Sequence, residues 1–220
     1  IVLRAKNSGR PDLRYAKRLV QPVGDSVMRH EYSIVGLTAL RDHDEYTYAH
    51  CVNVSVLSVG MGQVLGLPRQ ALADLGVAAL LHDIGKLAVP EHILSKPGPL
   101  TQEEFQKIRI HPQVGAEIIA GVPFPYPVAP LILSHHERWD GTGYPWGLAG
   151  EKIPLAARIF AVADAFDAMT SDRPYRQGLP PARALAELRR HAGSQFDERA
   201  VAALVALHDE GDLTLARGES

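Results

Sequence analysis

A chain of 220 residues with 46% hydrophobic and 22% charged side chains has the balance of a soluble globular domain and the length for one well-buried core. Its net charge of −2, from 23 basic and 25 acidic residues, argues against a nucleic-acid polymer or an anionic membrane surface as partner. A small anionic ligand needs only a local basic cluster. The single cysteine, Cys51, excludes a disulfide framework and a cysteine zinc site, and it fits a reducing, cytoplasmic setting.

No apolar run reaches the roughly 20 residues of a membrane span, and the N-terminal "IVLRAKNSGRPDLR" is not patterned as a signal peptide. The chain starts without Met, so a domain from a longer protein is the expectation. Gly9, Pro11, Pro22 and Gly24 mark residues 1–24 as a linker or lead-in. Asp25 or Ser26 is placed to cap a helix running to about Arg41. In 45–67, Val52, Val54 and Val56 alternate as in a strand, while Val52, Val56 and Val59, then Leu57, Met61 and Val64, recur at helical spacing. The run is too long for one strand, so a helix is expected. Residues 69–82 are apolar nearly all round, as in a buried helix.

Thr101 with Glu104 three residues on has the pattern of a capping box. Pro112 suits a first helical turn and Gly121 a stop. A Pro-rich connection at 122–127 leads to a short helix at 128–137 and a Gly-rich loop at 138–153. Pro154 opens a helix whose Ile159, Val162, Phe166 and Met169 form one stripe. Two more helices are expected near 180–192 and 197–209. The fold class is therefore all-α. The expected division is a lead-in or linker helix at 1–28, one domain at 29–210 and a tail at 211–220.

Histidines and acids interrupt these helices. His82 and Asp83 end the most apolar one, where a bare carboxylate is costly to bury. His50, His111, the pair His135 and His136, and Asp164 fall at separate points along the chain. Each has an ordinary explanation alone: a hydrogen-bonded core His, an N-cap Asp, a helix-capping His, an Asp paired with Arg158 or Arg173. One explanation covers all seven. Imidazole with carboxylate suits Fe, Mn, Zn or Ni. Seven such groups exceed one tetrahedral shell and suggest two ions bridged by a carboxylate, an arrangement that hydrolyses phosphate esters with ions roughly 3.5–4 Å apart. Lys86, three residues after Asp83, should lie near the ions. Arg173 and Arg176 follow Asp164 and suit phosphate.

The motifs "HDIGK" (82–86), "HHERWDGTGYPWGL" (135–148) and "VADAFDAMTSDRPYR" (162–176) resemble those of the HD-GYP domain, a bacterial signal-transduction hydrolase of the HD superfamily that cleaves cyclic di-GMP. The resemblance spans about residues 30–205. It implies a helical bundle with a Gly-rich loop beside a binuclear metal site. It places the metal ligands on His50, His82, Asp83, His111, His135, His136 and Asp164, with Asp83 bridging. Asp83 and Lys86 become the catalytic pair, and Lys86, Tyr144, Arg173 and Arg176 the substrate contacts. Gly143, Tyr144 and Pro145 are its signature triplet. Some members hold a third metal through a glutamate that is Tyr46 here, so two ions are expected. Arg176 stands where a lysine is common.

The implied cofactors are two divalent transition metal ions, iron or manganese first, with zinc or nickel as alternatives. The implied reaction is in-line attack by a bridging hydroxide, giving linear pGpG and/or GMP. A regulatory input domain outside this chain and a homo-oligomer are expected partners besides cyclic di-GMP. The alternatives are an HD phosphohydrolase for another nucleotide, a catalytically silent cyclic-dinucleotide receptor, and a helical module with coincidental histidines. Tyr144 either reaches substrate or braces its loop. Cys51, next to His50 in sequence, does not share its helix face and is no nucleophile.

Overall fold

The computed structural model describes residues 46–94, 96–120, 126–172 and 177–209. The helix expected up to Arg41, the lead-in, the tail, Gly121, Arg173 and Arg176 lie outside the described residues. Within them the chain runs α1 (Tyr46–Val64), α2 (Arg69–Leu81), a 3-10 turn (Ile84–Ala88), α3 (Glu91–Leu94), α4 (Gln102–Arg109), α5 (His111–Ala120) and α6 (Val128–Leu133). A second 3-10 turn (Gly150–Lys152) precedes α7 (Leu155–Thr170), α8 (Pro181–Arg190) and α9 (Glu198–Asp209). No strand is present among the described residues. Two isolated bridges, Asp140 with Ala149 and Ala192 with Phe196, pin loops. The all-α expectation holds.

Helix α1 resolves the mixed signal at 45–67. It packs on α2, α7 and α9 at once. A helix covered on several faces shows no single apolar stripe, so its valines imitate strand alternation. Val52, Val54, Leu57, Val59 and Met61 are all buried. Gly60 and Gly62 let its neighbours in: a Cβ on Gly60 would sit 2.8 Å from Leu207 Cδ2, and one on Gly62 2.7 Å from Leu72 Cδ2. Leu207 and the other apolar residues of α9 thus serve the internal core.

Local signals set the helix ends. The Thr101 side chain accepts from Glu104 N at 3.2 Å, and the Glu104 carboxylate accepts from Thr101 N at 2.7 Å, so the capping box forms. Pro154 precedes α7, and Ile159, Val162 and Phe166 are fully buried. The expected helix 128–137 stops at Leu133 instead. Ser134 is its C-cap, and His135 turns Nδ1 back onto the Ile132 carbonyl at 2.6 Å. The side chain takes an orphaned helix-end acceptor and ends the helix.

Candidate metal centre

Five imidazoles and three carboxylates meet where α1 and α7 pass the ends of α2, α4 and α6. His50 comes from the side of α1 and Asp164 from α7. His82 caps the C-terminus of α2, His111 opens α5 immediately after α4, and His135 and His136 follow α6. Three rings are fixed alike. Nδ1 of His82 bonds the Ala79 carbonyl at 2.6 Å, that of His111 the Ile108 carbonyl at 2.7 Å, and that of His135 the Ile132 carbonyl at 2.6 Å. Each residue lies three after the carbonyl it takes, so each imidazole satisfies a helix-end acceptor.

This anchoring decides the protons. A carbonyl only accepts, so Nδ1 carries the hydrogen and a neutral ring is left with a lone pair on Nε2. Burial first, then neighbouring imidazoles, holds His135 well below the usual histidine range. His111 is pushed down by burial, and His136 down to about 4 by burial and then His111. Yet His111 Nε2 lies 3.1 Å from His135 Nε2 and 3.2 Å from His136 Nε2. Lone pairs of His111 and His135 face each other with no proton between them. His82 Nε2 is fully buried without a hydrogen-bond partner. A buried polar atom of this kind is rare unless something binds it. The facing lone pairs of His111 and His135 and the unpartnered Nε2 of His82, beside carboxylate oxygens, fit a divalent cation.

The donors form two groups: His111, His135 and His136, and His50, His82 and Asp83, with donor atoms inside each group within 4.8 Å of one another. Asp83 faces both. Its Oδ1 is 3.3 Å from His111 Nε2 and 4.0 Å from His135 Nε2, while Oδ2 is 3.4 Å from His82 Nε2 and 3.8 Å from His50 Nε2. Asp83 stands at the N-cap of the 3-10 turn, but its side chain makes no cap hydrogen bond and turns to the cluster instead. Asp164 Oδ1 lies 3.1 Å from His50 Nε2 and 4.0 Å from His82 Nε2. Arg158, its candidate partner, pairs with Asp197 at 2.6 Å.

Burial alone would protonate Asp83. Lys86, bonded to Asp83 Oδ2, outweighs it together with His82 and His111, and the carboxyl is held well below its ordinary range. For Lys86, burial would favour the neutral amine, but Asp83 and Asp164 raise its pKa, so it remains an ammonium. His50 is likewise opposed by burial, yet Asp164 and Asp167 raise it to about 10. Cys51 is buried, and burial drives its thiol far up, which removes it as a nucleophile.

The loop after His136 closes over this cluster. Buried Glu137 accepts from the Trp146 N–H at 2.8 Å and from the Leu148 N–H at 2.9 Å. Tyr144 N donates to His136 O at 3.2 Å. Gly143 fits only as glycine, because a Cβ there would sit 2.6 Å from both Glu137 Cα and His136 O. The Tyr144 ring stacks on His136, with centroids 4.8 Å apart and planes 27° apart. The Arg109 guanidinium covers the same ring at 4.6 Å. From α7, Asp167 Oδ2 bonds His50 Nδ1 at 2.7 Å, and Asp167 Oδ1 accepts from Asn53 Nδ2 at 2.8 Å.

A family model for the HD domain matches residues 36–200. The chain belongs to the HD domain family. It is 45% identical over 195 residues to a cyclic di-GMP phosphodiesterase of Pseudomonas aeruginosa, covering 88% of this chain and 47% of that protein. It is 40% identical over 196 residues to the cyclic di-GMP phosphodiesterase response regulator RpfG of Xanthomonas campestris pv. campestris, covering 88% and 52%. The chain thus spans about half the length of these curated relatives. The fold is similar to Bd1817, an HDG"Y"P protein from Bdellovibrio bacteriovorus, with a TM-score of 0.72 at 23% identity over 94% of this chain and 68% of that one.

The HD domain brings together every described residue singled out from the sequence: His50, His82, Asp83, Lys86, His111, His135, His136, Tyr144 and Asp164. Sequence reasoning misses four further residues that shape the site. Asp167 and Asn53 sit three residues after Asp164 and His50 on their own helices, which places each pair on one face, and that spacing is a usable signal. Glu137 follows the histidine pair directly, but its partners are the backbone of residues 146 and 148. Nothing near Arg109 in sequence announces Tyr144 as its neighbour. Glu137→Gln should destabilise the HD domain by about 1 kcal/mol in urea unfolding, because an amide nitrogen would then face one of the two N–H donors that the buried carboxylate now accepts from. Unchanged stability would show that the loop does not depend on this carboxylate.

Proposed function

We propose that this HD domain is a two-metal phosphodiesterase that hydrolyses cyclic di-GMP to linear pGpG and/or GMP. The observation that carries the reading is Asp83, whose two oxygens face two separate groups of imidazoles inside one buried cluster. His50, His82 and Asp164 would hold one ion and His111, His135 and His136 the other, with Asp83 shared. Iron and manganese suit this donor set best, with zinc and nickel as further candidates. When bound, such ions supply Lewis acidity at a phosphoryl oxygen and lower the pKa of water.

The chain's own residues bind and orient the substrate. Lys86 is half-buried and held protonated against Asp83 and Asp164. It therefore serves as a charge and hydrogen-bond donor to a non-bridging phosphate oxygen, and not as a general base. Asp83 is ionised and occupied by Lys86 and the imidazoles, which suits it to hold cations. Tyr144, stacked on His136, lies beside the cluster, and Arg173 and Arg176 are assigned to the phosphates. The proposal extends to a cytoplasmic location, a regulatory input domain outside this chain and self-association. No helix among the described residues is long and apolar enough to cross a membrane.

Two measurements test it. Chain loaded with Mn2+ or Fe2+ should convert cyclic di-GMP to pGpG and/or GMP, followed by ion-exchange chromatography. Tight binding of cyclic di-GMP without turnover would make the domain a receptor, and turnover of only another nucleotide would reassign the substrate. Lys86→Ala should lower kcat about 10²–10³-fold, the usual loss for one charge-stabilising donor. Its metal content should stay near two ions per chain. Loss of metal would make Lys86 a structural partner of Asp83.

A further inference from the structure

We propose that Asp167 is a positioning residue that makes the two halves of the metal centre unequal, so that the half around His50 holds its ion more tightly than the half around His111. The inference rests on reading the cluster as a two-ion centre.

The asymmetry lies behind the donors. His82, His111 and His135 turn Nδ1 to neutral backbone carbonyls. His50 turns Nδ1 to a carboxylate oxygen of Asp167, 2.7 Å away, with both residues buried. A hydrogen bond to an ionised acceptor is roughly twice as strong as one to a neutral acceptor. It fixes the ring and, once an incoming ion has displaced the second ring proton, makes the far nitrogen a better donor. Asn53 holds the other Asp167 oxygen at 2.8 Å, so the carboxylate cannot rotate freely away from His50. His50 Nε2 then points at Asp164 Oδ1, 3.1 Å away, and towards Asp83 Oδ2.

The charges add to the same side. The His50 half gathers oxygens from Asp83 and Asp164, with Asp167 directly behind. Among the described residues the His111 half has three imidazoles and one facing oxygen, Asp83 Oδ1. Lys86 lies on Asp83 Oδ2 and offsets part of this difference. Asp164 and Asp167 together outnumber it. Hard ions such as Mn2+ favour carboxylate over imidazole, so manganese separates the halves most clearly.

The test is titration of chelator-treated chain with Mn2+, read by calorimetry and by the paramagnetic resonance of free ion. The native chain should show two binding events with Kd values at least tenfold apart. Asp167→Asn keeps the size of the side chain and should weaken the tighter event about 10–100-fold, with the weaker event unchanged within about twofold. Asn53→Ala should weaken the same event by less. His135→Ala should remove the weaker event, which assigns the two halves. A residue needed only for folding would weaken both events together. Equal events in the native chain, or parallel weakening of both in Asp167→Asn, would overturn the asymmetry alone. If Asp167→Asn does not fold by circular dichroism, unchanged Kd values in Asn53→Ala overturn it. A native chain that binds no Mn2+ overturns the metal centre itself.

Discussion

Asp83→Ala should reduce turnover of cyclic di-GMP on the order of 10³-fold or more and lower the metal content of the purified chain. The expected size follows from what the side chain touches. Its two oxygens are the groups that face both sets of imidazoles, so one truncation affects both halves. Metal-assisted stabilisation is worth several kcal/mol, and each 1.36 kcal/mol is tenfold in rate. Truncation also leaves Lys86 without its carboxylate, which makes cation binding and folding worse together. Asp83→Asn separates these effects. It keeps the volume and should retain the fold by circular dichroism while losing metal. Normal turnover by metal-replete Asp83→Ala would refute the assignment. The contrast with Lys86→Ala is part of the test, since that variant should keep its ions.

Gly85→Ala should be nearly as damaging, for a reason unrelated to charge. Gly85 sits in the 3-10 turn of "HDIGK", which packs directly on α5. A Cβ there would overlap the carbonyl oxygen of His111 and lie 2.6 Å from Gly115 N. Both are backbone atoms, so neither can swing aside as a flexible side chain would. Overpacking of this kind typically costs about 1–3 kcal/mol and sometimes more. The displaced backbone belongs to His111 on one side and to the residue two after Asp83 on the other. Gly85→Ala should therefore lose metal and also unfold at lower urea, whereas Asp83→Asn should lose metal chiefly. Native stability and two bound ions in the Gly85→Ala variant would show that the turn and α5 can separate without cost.

Much of this was legible from local pattern. The Thr101 capping box, Pro154 at the start of α7 and the stripe of Ile159, Val162 and Phe166 are short-range features, and each formed as expected. Neighbours on a helix diverge by about 100°, so a cluster shared by His135 and His136 required the helix to end near them. It ends at Leu133, earlier than the expected 137. The missing detail was the His135 bond to Ile132, which competes with continuation of the helix.

The sequence by itself determined the chemistry available: which residues bring imidazole, carboxylate and ammonium, and on which helical segments they lie. That information is local, because side-chain identity and helix period are properties of neighbouring residues. Only the tertiary structure decided how the donors divide. Asp83 faces two groups because the turn after α2 packs on α5, and Asp167 backs His50 across 117 positions of chain. Glu137 serves the loop and not the centre because residues 146 and 148 fold back onto it. Such contacts are set by packing between distant segments, and no spacing along one helix encodes them.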